Sequence, residues 1–217
     1  MKSPEPVINS LAIFGGTFDP VHIGHLRSAI EVRELLACDE LRFIPCHQPP
    51  HRTQPAASSA QRLRMLELAI ADEPRLAVDA REIQRNGPSY TIDTLMQLRA
   101  EVGAQCRLYL IIGMDAFAAL DSWHRWRELL DFAHIVVMQR PQNSMLSRGV
   151  VAELLRERRV DVEQLQTTAH GSIAIVQLTP LPISATAIRA LIRERRSPRY
   201  LLPDAVWEFI RENGLYL

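Results

Sequence analysis

The sequence predicts an α/β protein with a doubly wound, mostly parallel sheet, and two observations carry that expectation. Apolar runs of strand length alternate with stretches of helical period along the whole chain. The run "CRLYLIIG" at 106–113 is apolar almost throughout, as a strand covered by helices on both faces requires. Right-handed crossovers then wind the helices onto both sides of the sheet.

The elements follow in order. "SLAIFG" (10–15) reads as a buried strand, and 22–38 as a helix with Ile23, Leu26, Ile30 and Val32 or Leu35 facing inward. A second strand at 40–46 precedes a helix at 59–73, whose inner side is Leu63, Leu66 and Ile70. A third strand at 75–80 leads to a helix at 91–103 that Gly103 can end. After the strand at 106–113 come a short helix, a strand at 134–139, a helix at 150–159 and a strand at 172–178. Helices at 184–195 and 203–213 finish the chain. The low-complexity stretch "PPHRTQPAASSA" (49–60) reads as a mobile loop. The whole of 1–217 is expected to be one domain, with a C-terminal helical part from about 184 to 217.

Composition narrows the function. Lys and Arg number 25 and Asp and Glu 25, so no global field draws the chain to nucleic acid or a membrane, and an anion site must be built locally. Cys38, Cys46 and Cys106 are an odd number without CxxC spacing, which fits a reducing, cytoplasmic setting rather than a disulfide framework. No segment approaches the roughly 18 apolar residues of a membrane span. The N-terminal apolar run is too short and too broken by proline for a signal peptide.

In open α/β sheets ligands bind beyond the carboxyl ends of strands, so the loops at 15–21, 46–58, 81–90, 113–125 and 179–184 should carry function. "GGTFDPVHIGHL" (15–26) lies in the first. Gly15 and Gly16 can take positive φ and bring backbone N–H groups close to a ligand, and Thr17 adds a hydroxyl. His22 and His25, three residues apart in the first turn of a helix, aim at the same spot as that helix's partial positive charge. A phosphate chain suits this arrangement, although neither GxxxxGK[ST] nor GxGxxG is present. A zinc pair lacks a third ligand nearby. A glycine turn with surface histidines is the plainer alternative.

"PISATAIRALIRER" (182–195) makes Ser184 a helix N-cap, with Thr186 in the first turn and Arg189 one turn on along the same side. Alone it reads as a capped amphipathic helix. Together, the two stretches resemble the (H/T)xGH and ISSTxxR-like signatures of the nucleotidylyltransferase superfamily, with Ala185 where relatives often carry a second serine. "PPHR" (49–52), "NGPSYTIDTL" (86–95), "GMDAFAALDSWHRW" (113–126) and "RYLLPDAVWEFIRENGLY" (199–216) are similar to elements of bacterial nicotinate-nucleotide adenylyltransferases.

That resemblance implies a Rossmann-like nucleotidylyltransferase fold. It also implies transfer of adenylate from ATP to nicotinic acid mononucleotide, giving deamido-NAD and pyrophosphate, with Mg²⁺. It places His22 and His25 on the ATP phosphates and Ser184, Thr186 and Arg189 beside them, with His22, His25 and Arg189 as the catalytic set. Gly15, Gly16 and Thr17 would contribute backbone contacts, and Gly113 and Asp115 would meet adenosine. Arg52, Tyr90, Thr91 and Trp123 would receive the mononucleotide, Trp123 by stacking on its ring. Whether magnesium takes a direct side-chain ligand is left open, with Asp19 a candidate for a contact through water. Implied partners are these two small molecules, neither nucleic acid nor membrane, in a monomer or homodimer. Same-fold rivals would use nicotinamide mononucleotide or phosphopantetheine as acceptor or transfer cytidylate; a non-catalytic nucleotide-binding module is the rival of another class.

Overall fold

The computed structural model describes residues 8–47, 54–85, 87–139 and 148–217. Six parallel strands form one sheet in the order β3-β2-β1-β4-β5-β6: β1 (Ser10–Gly16), β2 (Glu40–Pro45), β3 (Leu76–Val78), β4 (Arg107–Gly113), β5 (His134–Gln139) and β6 (Ile173–Gln177). The chain leaves β1 toward β2 on one side and returns to pair β4 on the other. The strand order therefore reverses between β1 and β4, where a crevice opens beyond their carboxyl ends.

Alternate residues of each central strand feed the two faces of the sheet. Ala12 and Phe14 of β1 and Tyr109 and Ile111 of β4 join one apolar cluster. It is completed by α1 (Ile23–Leu36), α2 (Ser59–Ala69), α8 (Ala185–Arg193) and α9 (Asp204–Glu212). Leu11, Ile13, Leu108, Leu110 and Ile112 point the other way. They meet α4 (Thr91–Val102), α5 (Met114–Ala118), α6 (Leu129–Phe132) and α7 (Val150–Arg158).

The structure departs from the sequence reading in identifiable places. On α1 the buried residues are Ala29, Val32 and Leu36, a 3–4 spacing that leaves Leu35 48% exposed. The helix ends there because Ala37 turns left-handed, with φ 47°. On α2 the inner side is Arg62, Met65 and Leu66, and Leu63 is only half-buried. The face is rotated because Arg62 turns inward to cap loop carbonyls. The edge strand β3 is three residues long, pairing only with Leu41–Phe43. Within the expected loop 81–90, Arg81–Gln84 forms a short helix, α3.

Candidate active site

The crevice starts from the end of β1. Gly15 and Gly16 are strand residues, and neither takes the left-handed conformation expected of it; Phe18 does, with φ 50°. A Cβ on Gly15 would meet nothing within 4 Å, so its backbone faces open space. A Cβ on Gly16 would lie 2.8 Å from the Phe18 ring, so glycine there lets Phe18 fold back and bury itself. Phe18 then stands edge-on to His25, with centroids 5.1 Å apart, and to Phe14 at 5.8 Å. The imidazole is thus propped by an aromatic floor.

His22 caps α1 in extended backbone, and its ring stacks on His25 with centroids 3.7 Å apart. Gly24 between them is tightly placed. A Cβ there would sit 3.1 Å from two His22 ring atoms and 3.6 Å from Cβ of Ile183, in the segment that leads into α8. Glycine therefore lets the tips of α1 and α8 lie side by side. Their shared crevice, about 330 Å³, is lined by His22, His25, Gly113, Asp115, Ser184 and Thr186, with Phe14 at its floor.

Neither α1 nor α8 has an acidic residue in its first turn, so neither helix carries a side chain that offsets its own positive end. Ser184 Oγ accepts from the Ala187 N–H at 3.2 Å, which leaves the hydroxyl proton to donate outward. At the α1 tip, the Ile23 N–H donates to Leu201 O at 2.9 Å, so the turn before α9 braces the helix start.

Arg189 does not line the crevice. Its Nη1 donates to Asp19 O at 2.6 Å, which ties α8 to the loop after β1. Thr17 lies at the start of that loop, with its carbonyl accepting from Arg62 Nη1 at 2.8 Å. Arg62, 1% exposed, also donates to Cys46 O and Ser59 Oγ, stapling the loops after β1 and β2 together. The Asp19 carboxylate, expected to face a metal through water, is instead buried. It accepts from Ala56 N, Ala57 N and the Tyr216 hydroxyl at 2.8, 3.1 and 2.6 Å.

A second group of expected residues lies at the start of α4 and in the segment after α5. Tyr90 caps α4, Thr91 begins it, and the Tyr90 ring packs against His124, with centroids 4.4 Å apart. Trp123 is half-buried and packs, with Tyr90 and Trp126, on the core cluster that contains α4 and α5. The segment before α4 is pinned by the His47 N–H, which donates to Ser89 Oγ at 3.0 Å, and by buried Glu82, which accepts from Thr94 Oγ1 at 2.7 Å. Burial raises the Glu82 carboxyl above the usual carboxylate range, against the pull of Thr94, Ser89 and Arg85. Arg52 lies outside the described residues.

Among the described residues no three His, Cys, Asp or Glu side chains gather as a metal cage. The crevice offers one carboxylate, from Asp115, beside hydroxyls and helix ends. That set fits magnesium carried in on phosphates and largely hydrated, rather than held by protein alone. Sequence periodicity did not point to Gly24, Phe18, Arg62 or Tyr216; each acts through a contact distant in sequence or through ring packing.

A cytidylyltransferase-like family model matches residues 13–191, and with the fold and crevice it defines a nucleotidyltransferase. A protein of Cellvibrio japonicus named probable nicotinate-nucleotide adenylyltransferase is 52% identical over 209 residues, 95% of this chain and 98% of its own. One of the same name from Methylococcus capsulatus is 52% identical over 208 residues, 95% and 99% of the two chains. The Plasmodium falciparum nicotinic acid mononucleotide adenylyltransferase complexed with NaAD has the same fold. It superposes with TM-score 0.72 over 96% of this chain and 97% of that one, at 14% identity. The chain belongs to the nicotinate-nucleotide adenylyltransferase family.

Proposed function

We propose that the crevice transfers adenylate from ATP to nicotinic acid mononucleotide, releasing pyrophosphate and forming deamido-NAD for NAD biosynthesis. The observation that carries this is the convergence of two helix tips, one bearing His22 and His25 and the other Ser184 and Thr186, on one crevice at the strand-order reversal.

The chemistry asks little covalent help of the protein. A phosphomonoester is largely dianionic at neutral pH, its second pKa being about 6, so no general base is needed. Its oxygen attacks the α-phosphorus of ATP while the bond to the bridging oxygen breaks and pyrophosphate leaves with that electron pair. Catalysis is then alignment plus relief of charge. His25, propped by Phe18, donates to the α-phosphoryl oxygens, and His22 stacks beside it. Ser184 and Thr186 donate to the β- and γ-phosphates, joined by Arg189, whose guanidinium has donors beyond the one given to Asp19. Gly15, Gly16 and Thr17 offer backbone contacts, and Gly113 and Asp115 take the adenosine, with the carboxylate accepting from ribose hydroxyls. Tyr90, Thr91, Trp123 and Arg52 hold the mononucleotide. Magnesium, when carried in with ATP, would supply further neutralisation of the triphosphate.

The apolar cluster that includes both Ala12 and Tyr216 supports reading 1–217 as a single domain, its helical part from about 184 packed onto the sheet. No helix among the described residues is long and apolar enough to cross a membrane. Cys38, Cys46 and Cys106 are not joined in disulfides, which supports a cytoplasmic setting. ATP and the mononucleotide are the partners, met by a monomer or homodimer and not by nucleic acid.

A pyrophosphate-release assay tests this reading. Release should require ATP together with the acid mononucleotide and be much slower with the amide. Equal rates with acid and amide would refute the acceptor, and ATP binding without release would refute catalysis.

A further inference from the structure

Asp19 joins four segments that are remote in sequence. Its carboxylate accepts from Ala56 and Ala57, at the far end of the loop after β2, and from the hydroxyl of Tyr216, the penultimate residue. Its carbonyl accepts from Arg189 on α8, and the same guanidinium lies 3.9 Å from carboxylate Oδ2. The site is closed: Asp19 is 5% exposed and Tyr216 8%. Tyr216 holds a left-handed backbone, φ 67°, a conformation that costs a side-chain-bearing residue energy and persists only where tertiary contacts enforce it.

We propose that Asp19, set in place by Tyr216, Ala56 and Ala57, is a positioning residue that aims Arg189 at the triphosphate. This rests on the reading of Arg189 as a phosphate-binding group. Held to the Asp19 carbonyl, the guanidinium keeps one orientation with its other donors directed by the planar fork. Ala56 and Ala57 hold the carboxylate from the other side, so the Asp19 backbone that receives Arg189 is fixed at both ends. The last turn of the chain thereby takes part in the site without touching substrate. Burial first, and the Asp19 carboxylate second, raise the Tyr216 hydroxyl far above its ordinary range, so it remains a donor at any working pH.

The test is a double-mutant cycle in the full chain, using D19N, R189A and the double variant, with Y216F as the milder probe. ATP affinity is measured by titration and turnover by pyrophosphate release, both well below each variant's melting temperature. Each single change should weaken ATP binding by about tenfold, and the double should be no weaker than the worse single by more than about twofold. Y216F should lower kcat severalfold with the fold retained. Independent, multiplicative losses in the double variant would overturn the proposal. So would a Y216F or D19N protein with altered melting but unchanged ATP affinity and kinetics. If D19N does not fold, Y216F alone decides by the same criterion. If the wild type releases no pyrophosphate, the activity reading fails separately, and the ATP-affinity cycle still decides the positioning role.

Discussion

His22 and His25 stack with ring centroids 3.7 Å apart and planes 22° from parallel, so neither imidazole can move without disturbing the other. Gly24 sits against this pair from behind, where an added methyl would lie 3.1 Å from two His22 ring atoms. Alanine is the better helix former by up to about 1 kcal/mol, which works in favour of the fold. Gly24→Ala should therefore keep its melting temperature to within a few degrees while kcat falls about tenfold or more, because small misplacements of catalytic groups are costly. A variant with full activity would show that the His22 ring relaxes freely.

His25 lies between the His22 ring and the Phe18 edge, the better fixed of the two imidazoles. His25→Ala removes a donor aimed at charge that develops only in the transition state. Turnover should fall by about 10²–10³, with ATP affinity changed much less. Steady-state kinetics beside ATP titration check this. Lost affinity with preserved kcat would assign the ring to ground-state binding instead.

Trp123 lies beside Tyr90 at the edge of the second core cluster, half-buried and therefore presenting part of its ring. If that face receives the pyridine ring, Trp123→Ala should raise KM for the mononucleotide about tenfold, in line with the value of an aromatic stack, and leave KM for ATP nearly unchanged. An equal rise in both would make the tryptophan a packing residue.

His134 opens β5 at the end of the sheet opposite the crevice and is fully buried. The Ser172 N–H donates to Nδ1 at 3.2 Å, so Nε2 carries the proton and donates to Thr168 O at 2.9 Å. The neutral ring is thus satisfied, and burial lowers its pKa, against the backbone contact of Thr168. The sign follows from linkage. The unfolded chain takes up a proton near pH 6.5 that the folded chain refuses, so this contribution is complete above that pH and is lost as pH falls toward the depressed folded value. Urea unfolding at pH 7, 6 and 5 should show declining stability, and His134→Gln should be less stable at pH 7 yet flatten the decline. An unchanged slope in the variant would place the sensitivity elsewhere.

Strand and helix alternation was legible because each depends on local apolar period, and all six strands fall where that period put them. The crevice was legible too, since the paired histidines at the start of α1 and the Ser184 cap of α8, both read from local sequence, line it. What escaped is non-local. Arg62 was not singled out, because its partners are carbonyls of Thr17 and Cys46 on separate loops. Asp19 lay inside a recognised stretch, yet Tyr216 and Ala56 reach it from elsewhere in the chain. Four residues, Arg81–Gln84, make a helix too short for any period to register. The glycines were read as turn formers, whereas Gly16 makes room for a ring and Phe18 carries the left-handed turn.

A crystal structure with a non-hydrolysable ATP analogue and magnesium tests the central claim most directly. The triphosphate should lie between the two helix tips, within hydrogen-bond distance of His22 or His25 on one side and Ser184 or Thr186 on the other. Phosphates seated elsewhere, for instance along the exposed arginines at 193–199 with the crevice vacant, would contradict it.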